Sequence, residues 1–146
     1  MRKLNKELSE HFPNVTRENH NVTSEETPDY NCIAWAVGID DQWWDPADGY
    51  CWPDGAIFSY EAKALFSAYE QIGFVECENS NLEKGYQKVA LYRNSSGFWT
   101  HAARQMPDGG WASKLGKSVD IVHDDPETVC GEAYGVVAGF MKRNIS

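Results

Sequence analysis

At 146 residues the chain suits a single domain with its own hydrophobic core. A composition of 42% hydrophobic and 24% charged residues, with six Trp, seven Tyr and six Phe, excludes a disordered chain, which lacks the aromatic surface that offsets chain entropy. The formal charge of −9 and thirteen scattered Lys and Arg leave no basic stripe for a phosphate backbone, which excludes nucleic acid as a partner.

From the N-terminus, RKLNKELSEH (2–11) places Leu4 and Leu8 four apart, a short helix with one thin apolar stripe that Pro13 ends. Residues 12–29 are polar and aperiodic, a surface loop. Cys32 to Val37 is apolar on nearly every side, a short helix inserted in a core, with Gly38 as its stop. Asp40 to Asp54 sets Trp43, Trp44, Tyr50 and Trp52 among Asp, Gly and Pro, a loop whose rings either cover the core or line a cleft. SYEAKALFSAYEQIG then gives a helix capped at Ser59, with a stripe at Ala62, Leu65, Phe66, Tyr69 and Ile72 and Gly73 past its end.

After Gly73 the period becomes extended. FVEC, YQKVALY, FWTHAARQ and GWASKLG are short β-like runs divided by NSSG and PDGG turn signals, and YGVVAGFMK from Tyr134 adds a strand after DDPETVCGE, a loop or single helical turn. The expectation is an α+β fold: one domain over 1–146, with an N-terminal helix and loop (1–30), a core carrying any chemistry (31–116) and a C-terminal loop and strand (117–146).

Four cysteines, Cys32, Cys51, Cys77 and Cys130, are widely spaced without a C-x-x-C pair, so neither a zinc knuckle nor a disulfide framework is expected. No window is apolar enough for a membrane span or a secretory leader, so no membrane partner and a cytoplasmic location are expected. No ligand pair has finger or zincin spacing and no glycine-rich loop follows a strand, so no metal and no cofactor are expected.

Taken alone, Cys32 fits a buried structural thiol. Its place at a helix start changes the weighing, because the positive end of a helix and a nearby imidazole both favour thiolate. His101, opening a strand among small neighbours, is the candidate base, and Cys32 is then the thiol expected to alkylate fastest. Asn31 either caps the helix or aims its amide at an oxyanion beside the Cys32 N–H. His11 and His20 sit in polar, exposed sequence. His123 in DIVHDD is the rival base, though its acidic neighbours suit a solvated loop. Trp43, Trp44 and Trp52 are the candidate substrate wall, and Cys51, Cys77 and Cys130 are structural.

YNC at a helix start, followed by GYQKVALY, THAA and GGWASK, resembles the core of NlpC-type cysteine peptidases within the papain-like superfold. NCIAWA, HAARQ and W-x-SK-x-G further resemble an uncharacterised bacterial family associated with that group. The resemblance implies a papain-like fold with N-terminal helices on an antiparallel sheet, Cys32 as nucleophile, His101 as base, and a third residue at Ser113 or Lys114. It implies a cysteine-dependent hydrolase or acyl-transfer enzyme acting on an amide or related bond of a peptide, muropeptide or protein side chain. Those peptidases carry His, Asn or Gln at the third position, and Ser113 and Lys114 depart from this. Lys114 is alternatively a contact for an acidic substrate group. The other reading is a non-catalytic peptide- or protein-binding module on the same scaffold.

Overall fold

A computed structural model describes residues 2–115 and 117–145. The last residue of the expected W-x-SK-x-G motif, Gly116, and with it the end of the 31–116 core, lies outside the described residues.

The elements in chain order are α1 (Lys6–Ser9), β1 (His20–Val22), α2 (Cys32–Trp35), α3 (Ala62–Glu70), β2 (Val75–Cys77), β3 (Tyr86–Arg93), β4 (Trp99–Gln105), β5 (Trp111–Lys114), β6 (Asp120–His123), a 3-10 turn (Pro126–Val129) and β7 (Val136–Asn144). The seven strands form one sheet in the order β1-β6-β5-β4-β3-β7-β2, every neighbouring pair antiparallel. An antiparallel sheet with α2 and α3 on one face and the short α1 and 3-10 turn on the other makes this an α+β fold.

The segments expected at the periphery complete the sheet. β7 is inserted between β3 and β2, and β6 joins β5 to β1. The 12–29 loop thus contains a strand, and DIVH of β6 is buried strand in place of the solvated loop expected from its acidic flank. A three-residue strand is too short to declare a period, and Asp124 and Asp125 hid the alternation of Ile121 and His123. The first helix is a single turn with Asn5 as N-cap, and α3 starts after Glu61, with Ser59 accepting from the Glu61 N–H instead of capping.

The pleat sends alternate side chains to opposite faces, and both faces are covered. On one side Val89, Leu91, Ala102 and Met141 pack with Cys32, Ile33 and Ala34 of α2 and Leu65 and Tyr69 of α3. On the other, Ala90, Tyr92, Ala103, Trp111 and Ile121 pack with Phe12 and Val129, so the N-terminal segment and the 3-10 turn close the second core. Each fully buried Leu, Ile or Val contributes about 1.5–3 kcal/mol of transfer free energy, which is why both layers hold.

Two glycines are required by close approach. Gly139 on β7 lets Phe66 of α3 come within what would be 2.9 Å of a Cβ. Gly135 has φ +76°, and a Cβ there would stand 2.0 Å from the Arg93 carbonyl oxygen.

Gly135→Ala is therefore expected to lose at least about 2 kcal/mol through strain plus backbone collision. Gly49→Ala, at φ +89° with nothing within 4 Å of the added carbon, should lose only the conformational cost of roughly 1–2 kcal/mol. Urea melts of the two variants check this; equal losses would mean that the approach to Arg93 costs nothing.

Candidate functional site

Asn31 and Cys32 open α2. The Asn31 side-chain oxygen accepts from the N–H groups of Ala34 and Trp44, and its Nδ2 donates to the Trp44 carbonyl at 2.6 Å. Asn31 is thus an N-cap that also staples the aromatic loop to the helix. One Nδ2 hydrogen is spent on the Trp44 carbonyl, and the orientation of the amide is set by the cap and the loop.

Cys32 is 7% exposed and faces the Ala102 side of β4. Desolvation pushes its thiol up to about 11, against the opposing pull of the Ala102 and helix-start N–H groups and of Lys114. The helix end acts in the expected direction, but burial outweighs it.

His101 lies on the opposite face. It is paired across the strands with Tyr92, its ring sits 5.1 Å from the Tyr92 ring, and it stacks on Tyr134 at 3.9 Å and 1°. Tyr92 belongs to the second core and Tyr134 packs against it, whereas Cys32 and Ala102 belong to the first. The expected pairing of Cys32 with His101 is therefore not formed. His101 and Ala102 are consecutive on one strand, and consecutive side chains leave a sheet on opposite sides.

His101 instead belongs to a buried relay across β4, β5 and β6. His101 Nε2 is 2.9 Å from Ser113 Oγ, and Ser113 Oγ is 2.8 Å from His123 Nε2. His123 Nδ1 is 2.8 Å from the Asp125 carbonyl, which only accepts. His123 Nδ1 thus carries the proton and its Nε2 accepts from the Ser113 hydroxyl. Ser113 in turn accepts from His101 Nε2–H. His101 Nδ1 is left as a bare acceptor, buried and unpartnered. Desolvation, and after it His123, hold His101 well below the usual imidazole range. Desolvation brings His123 down to about 4 despite Asp125 and Asp124.

The third-residue candidates separate as well. Ser113 partners His101, while Lys114 faces the helix side, 0% exposed. Its Nζ donates to the carbonyls of Thr27 (2.8 Å) and Ser118 (2.5 Å) and stands 5.2 Å over the Tyr30 ring. Desolvation lowers its pKa, and Asp120 counters that. Asp120 accepts from Tyr30 on Oδ2, and its Oδ1 is buried without a partner. His20, read from sequence as exposed, is 5% exposed. It is held by the Leu4 N–H on Nε2 and the Thr16 carbonyl on Nδ1. The signal for it was the short HNV run, legible only with its partner strand in view.

The tryptophans divide too. Trp44 is 5% exposed, in the core beside Tyr69, so it is no substrate wall. Trp43 and Trp52 are half-buried. Trp52 stacks on Trp99 at 5.8 Å and 13°, Tyr60 adjoins Trp99 at 5.4 Å, and Trp43 pairs with Tyr50 at 6.3 Å. Tyr60 donates to Asp45, which ties the ring groups together. Tyr50, Phe58 and Tyr60 are exposed. Sequence reasoning missed Trp99 and Tyr60, which come from β4 and the lead-in to α3 and meet the loop only in the fold. Among the described residues no group of three His, Cys, Asp or Glu could hold a metal, and no helix is long and apolar enough to cross a membrane.

Two measurements test this arrangement. In native protein at pH 8, exposed Cys51 should alkylate first and Cys32 last, and His101→Ala should leave the Cys32 rate unchanged; rapid Cys32 labelling that His101→Ala slows would restore a thiol–imidazole pair. The second concerns acid. His123 is depressed in the fold, so between about pH 6.5 and 4 the unfolded chain binds a proton that the folded one refuses, and stability falls with pH across that window. The loss is about 3 kcal/mol from His123 alone, with His101 adding in the same direction. Urea melts from pH 7.5 to 4 should show this slope, flattened in His123→Asn; an unchanged slope in that variant would refute it.

Among curated proteins and among solved structures, none matches the chain. A family pattern matches residues 21–142, from β1 into β7 and across both faces of the sheet. By that match the chain belongs to the family described as Domain of unknown function (DUF7689).

Proposed function

We propose that the protein is a non-catalytic binding module that holds a basic peptide segment on the aromatic surface built by the 40–61 loop and Trp99. The observation that carries this reading is the ring cluster of half-buried Trp52 and Trp99 with exposed Tyr60, continued by half-buried Trp43 and exposed Tyr50. Rigid rings that keep a face to solvent offer large contact area at low entropic cost. Phe58 at 63% exposure and Tyr50 at 53% make the surface more apolar than free solvation favours.

Charge selects the ligand. Residues 40–61 contain Asp40, Asp41, Asp45, Asp48, Asp54 and Glu61 and no Lys or Arg. Aromatic faces ringed by carboxylates attract ammonium and guanidinium groups, through the ring quadrupole and through simple charge. Lys117, 5.9 Å over the Trp43 ring, is an internal example of that contact.

The order of a Cys-bearing helix ahead of the β3–β4–β5 meander supports a papain-like scaffold. The separation of Cys32 from His101 by the sheet supports use of that scaffold without thiol chemistry. A Cys–His hydrolase or acyl-transfer mechanism places an imidazole at the sulfur, and burial moves thiol and imidazole away from the thiolate–imidazolium state.

The test is tryptophan fluorescence titrated with nona-arginine and, as control, nona-glutamate. Nona-arginine should quench saturably, with affinity falling as salt rises, and nona-glutamate should not. Trp52→Ala and Tyr60→Ala should each weaken binding at least tenfold while the protein still melts cooperatively. Binding that is indifferent to both variants would reduce the interaction to general attraction by the −9 charge and end the reading.

A further inference from the structure

Trp99 is the middle ring of the aromatic platform: Trp52 stacks on it at 5.8 Å and 13°, and Tyr60 adjoins it at 5.4 Å and 32°. The polar handles of all three rings are spent within the protein. The Trp99 indole N–H donates to the Ser59 carbonyl at 3.2 Å, the Trp52 indole N–H to the Ile57 carbonyl at 3.0 Å, and the Tyr60 hydroxyl to Asp45 Oδ1. An indole has no further donor, so the stack offers a ligand ring face and little else. Tyr60, exposed where the two indoles are half-buried, offers the most of it.

Beside that ring stands a carboxylate without a cation. Asp45 is half-buried, and its backbone is held by its own N–H on the Cys51 carbonyl at 2.9 Å. One of its oxygens accepts from Tyr60. Among the described residues its Oδ2 accepts no hydrogen bond and no basic side chain pairs with it. A ligand that satisfies ring and carboxylate together is flat and cationic, with N–H groups in its own plane, so that it lies on the ring and turns an edge to the oxygen. A guanidinium has that shape, with five donors in one weakly hydrated plane, whereas an ammonium is a compact, strongly hydrated charge with no face to stack. Arg104, 4.1 Å over the Trp35 ring, shows the stacked half of the contact within this chain.

We infer that the platform selects arginine over lysine: the guanidinium of one ligand residue lies on the Tyr60 ring and an N–H of its edge donates to Asp45. The inference rests on the reading of the platform as a surface for a basic peptide and names the side chain that this surface takes.

Tryptophan fluorescence titrated with nona-arginine and with nona-lysine decides it. The two peptides carry the same charge, so attraction to a protein of charge −9 is common to both and the ratio of their affinities isolates the contact. Nona-arginine should bind about tenfold more tightly, the worth of one hydrogen bond to a charged group. Tyr60→Leu, which removes the ring, and Asp45→Asn, which removes the charge, should each bring the two affinities to within about twofold. Asp48→Asn, at an exposed carboxylate of the same loop, should weaken both peptides alike and keep the ratio. Asp45→Asn keeps the test decisive should Tyr60→Leu fail to melt cooperatively. Equal affinities in the unaltered protein would overturn the selection while leaving a general cation-binding platform. A preference that survives both Tyr60→Leu and Asp45→Asn would belong to arginine at large and overturn the assignment to these two residues. Saturable binding of neither peptide would end this inference together with the reading on which it rests.

Discussion

The pleat of β4 governs what this protein can do. His101, Ala103 and Gln105 leave one face and Ala102 and Arg104 the other, so each residue of HAARQ has its surroundings fixed by parity alone. A slip of one residue would bring His101 toward Cys32, but it would also invert every other side chain of the strand. Because both faces of the sheet are covered by apolar cores, that inversion would expose one set of packed residues and bury polar ones in both layers. The irregular pairing beside Tyr92, where the partner of Arg93 is Trp99 and Thr100 is skipped, shifts the alternation only ahead of HAARQ, so that Trp99 packs with the first core.

The same constraint explains the buried polar groups. His101, Ser113 and His123 lie on one face of three adjacent strands, β4, β5 and β6, and their hydrogen bonds run diagonally across the sheet, His123 being opposite Trp111 and Ser113 opposite Ile121. All members are uncharged, so the desolvation cost is that of neutral groups, and a network bonded in one direction rewards a single register. Lys114 answers a different need. It donates to two carbonyls, Thr27 and Ser118, and thereby pins the lead-in to α2 to the sheet. Breaking either set strands a buried polar partner, which costs more than the bond itself is worth.

Much of the fold was legible because its signals are local. Gly73 marks the change of period, NSSG and PDGG mark the hairpins, and the stripe of α3 repeats at helical spacing. What was not legible depends on partners distant in sequence. β1 and β6 are too short to announce themselves, yet His20 faces His123 across them, and both histidines looked solvated beside their acidic and polar neighbours. The site suffered most from this. Cys32 at a helix start and His101 at a strand start were placed on their elements from local pattern, but the face that each occupies is set by the pairing of β3 with β4. A list of residue types and spacings carries no such parity. Trp44 illustrates the same limit: a ring in a Gly- and Asp-rich loop becomes core because Asn31 grips its backbone on both sides.

NCIAWA and HAARQ nevertheless belong together, for a reason other than catalysis. Three residues along α2 advance about 4.5 Å and two along a strand about 6.8 Å, close enough for residues at those spacings to meet in register on crossing elements. Cys32 lies against Ala102, and Trp35, three residues on, lies under Arg104, two residues on. The small side chain at 102 lets the helix start approach the strand, and the stacked Arg104 and Trp35 close the far end of the contact. Two motifs that suggest a nucleophile and its base when read as a string are, in the fold, the two halves of a helix–strand joint. The joint buries the thiol that a peptidase would need exposed, and it sets the aromatic loop, through Asn31 and Trp44, at the edge of the same core.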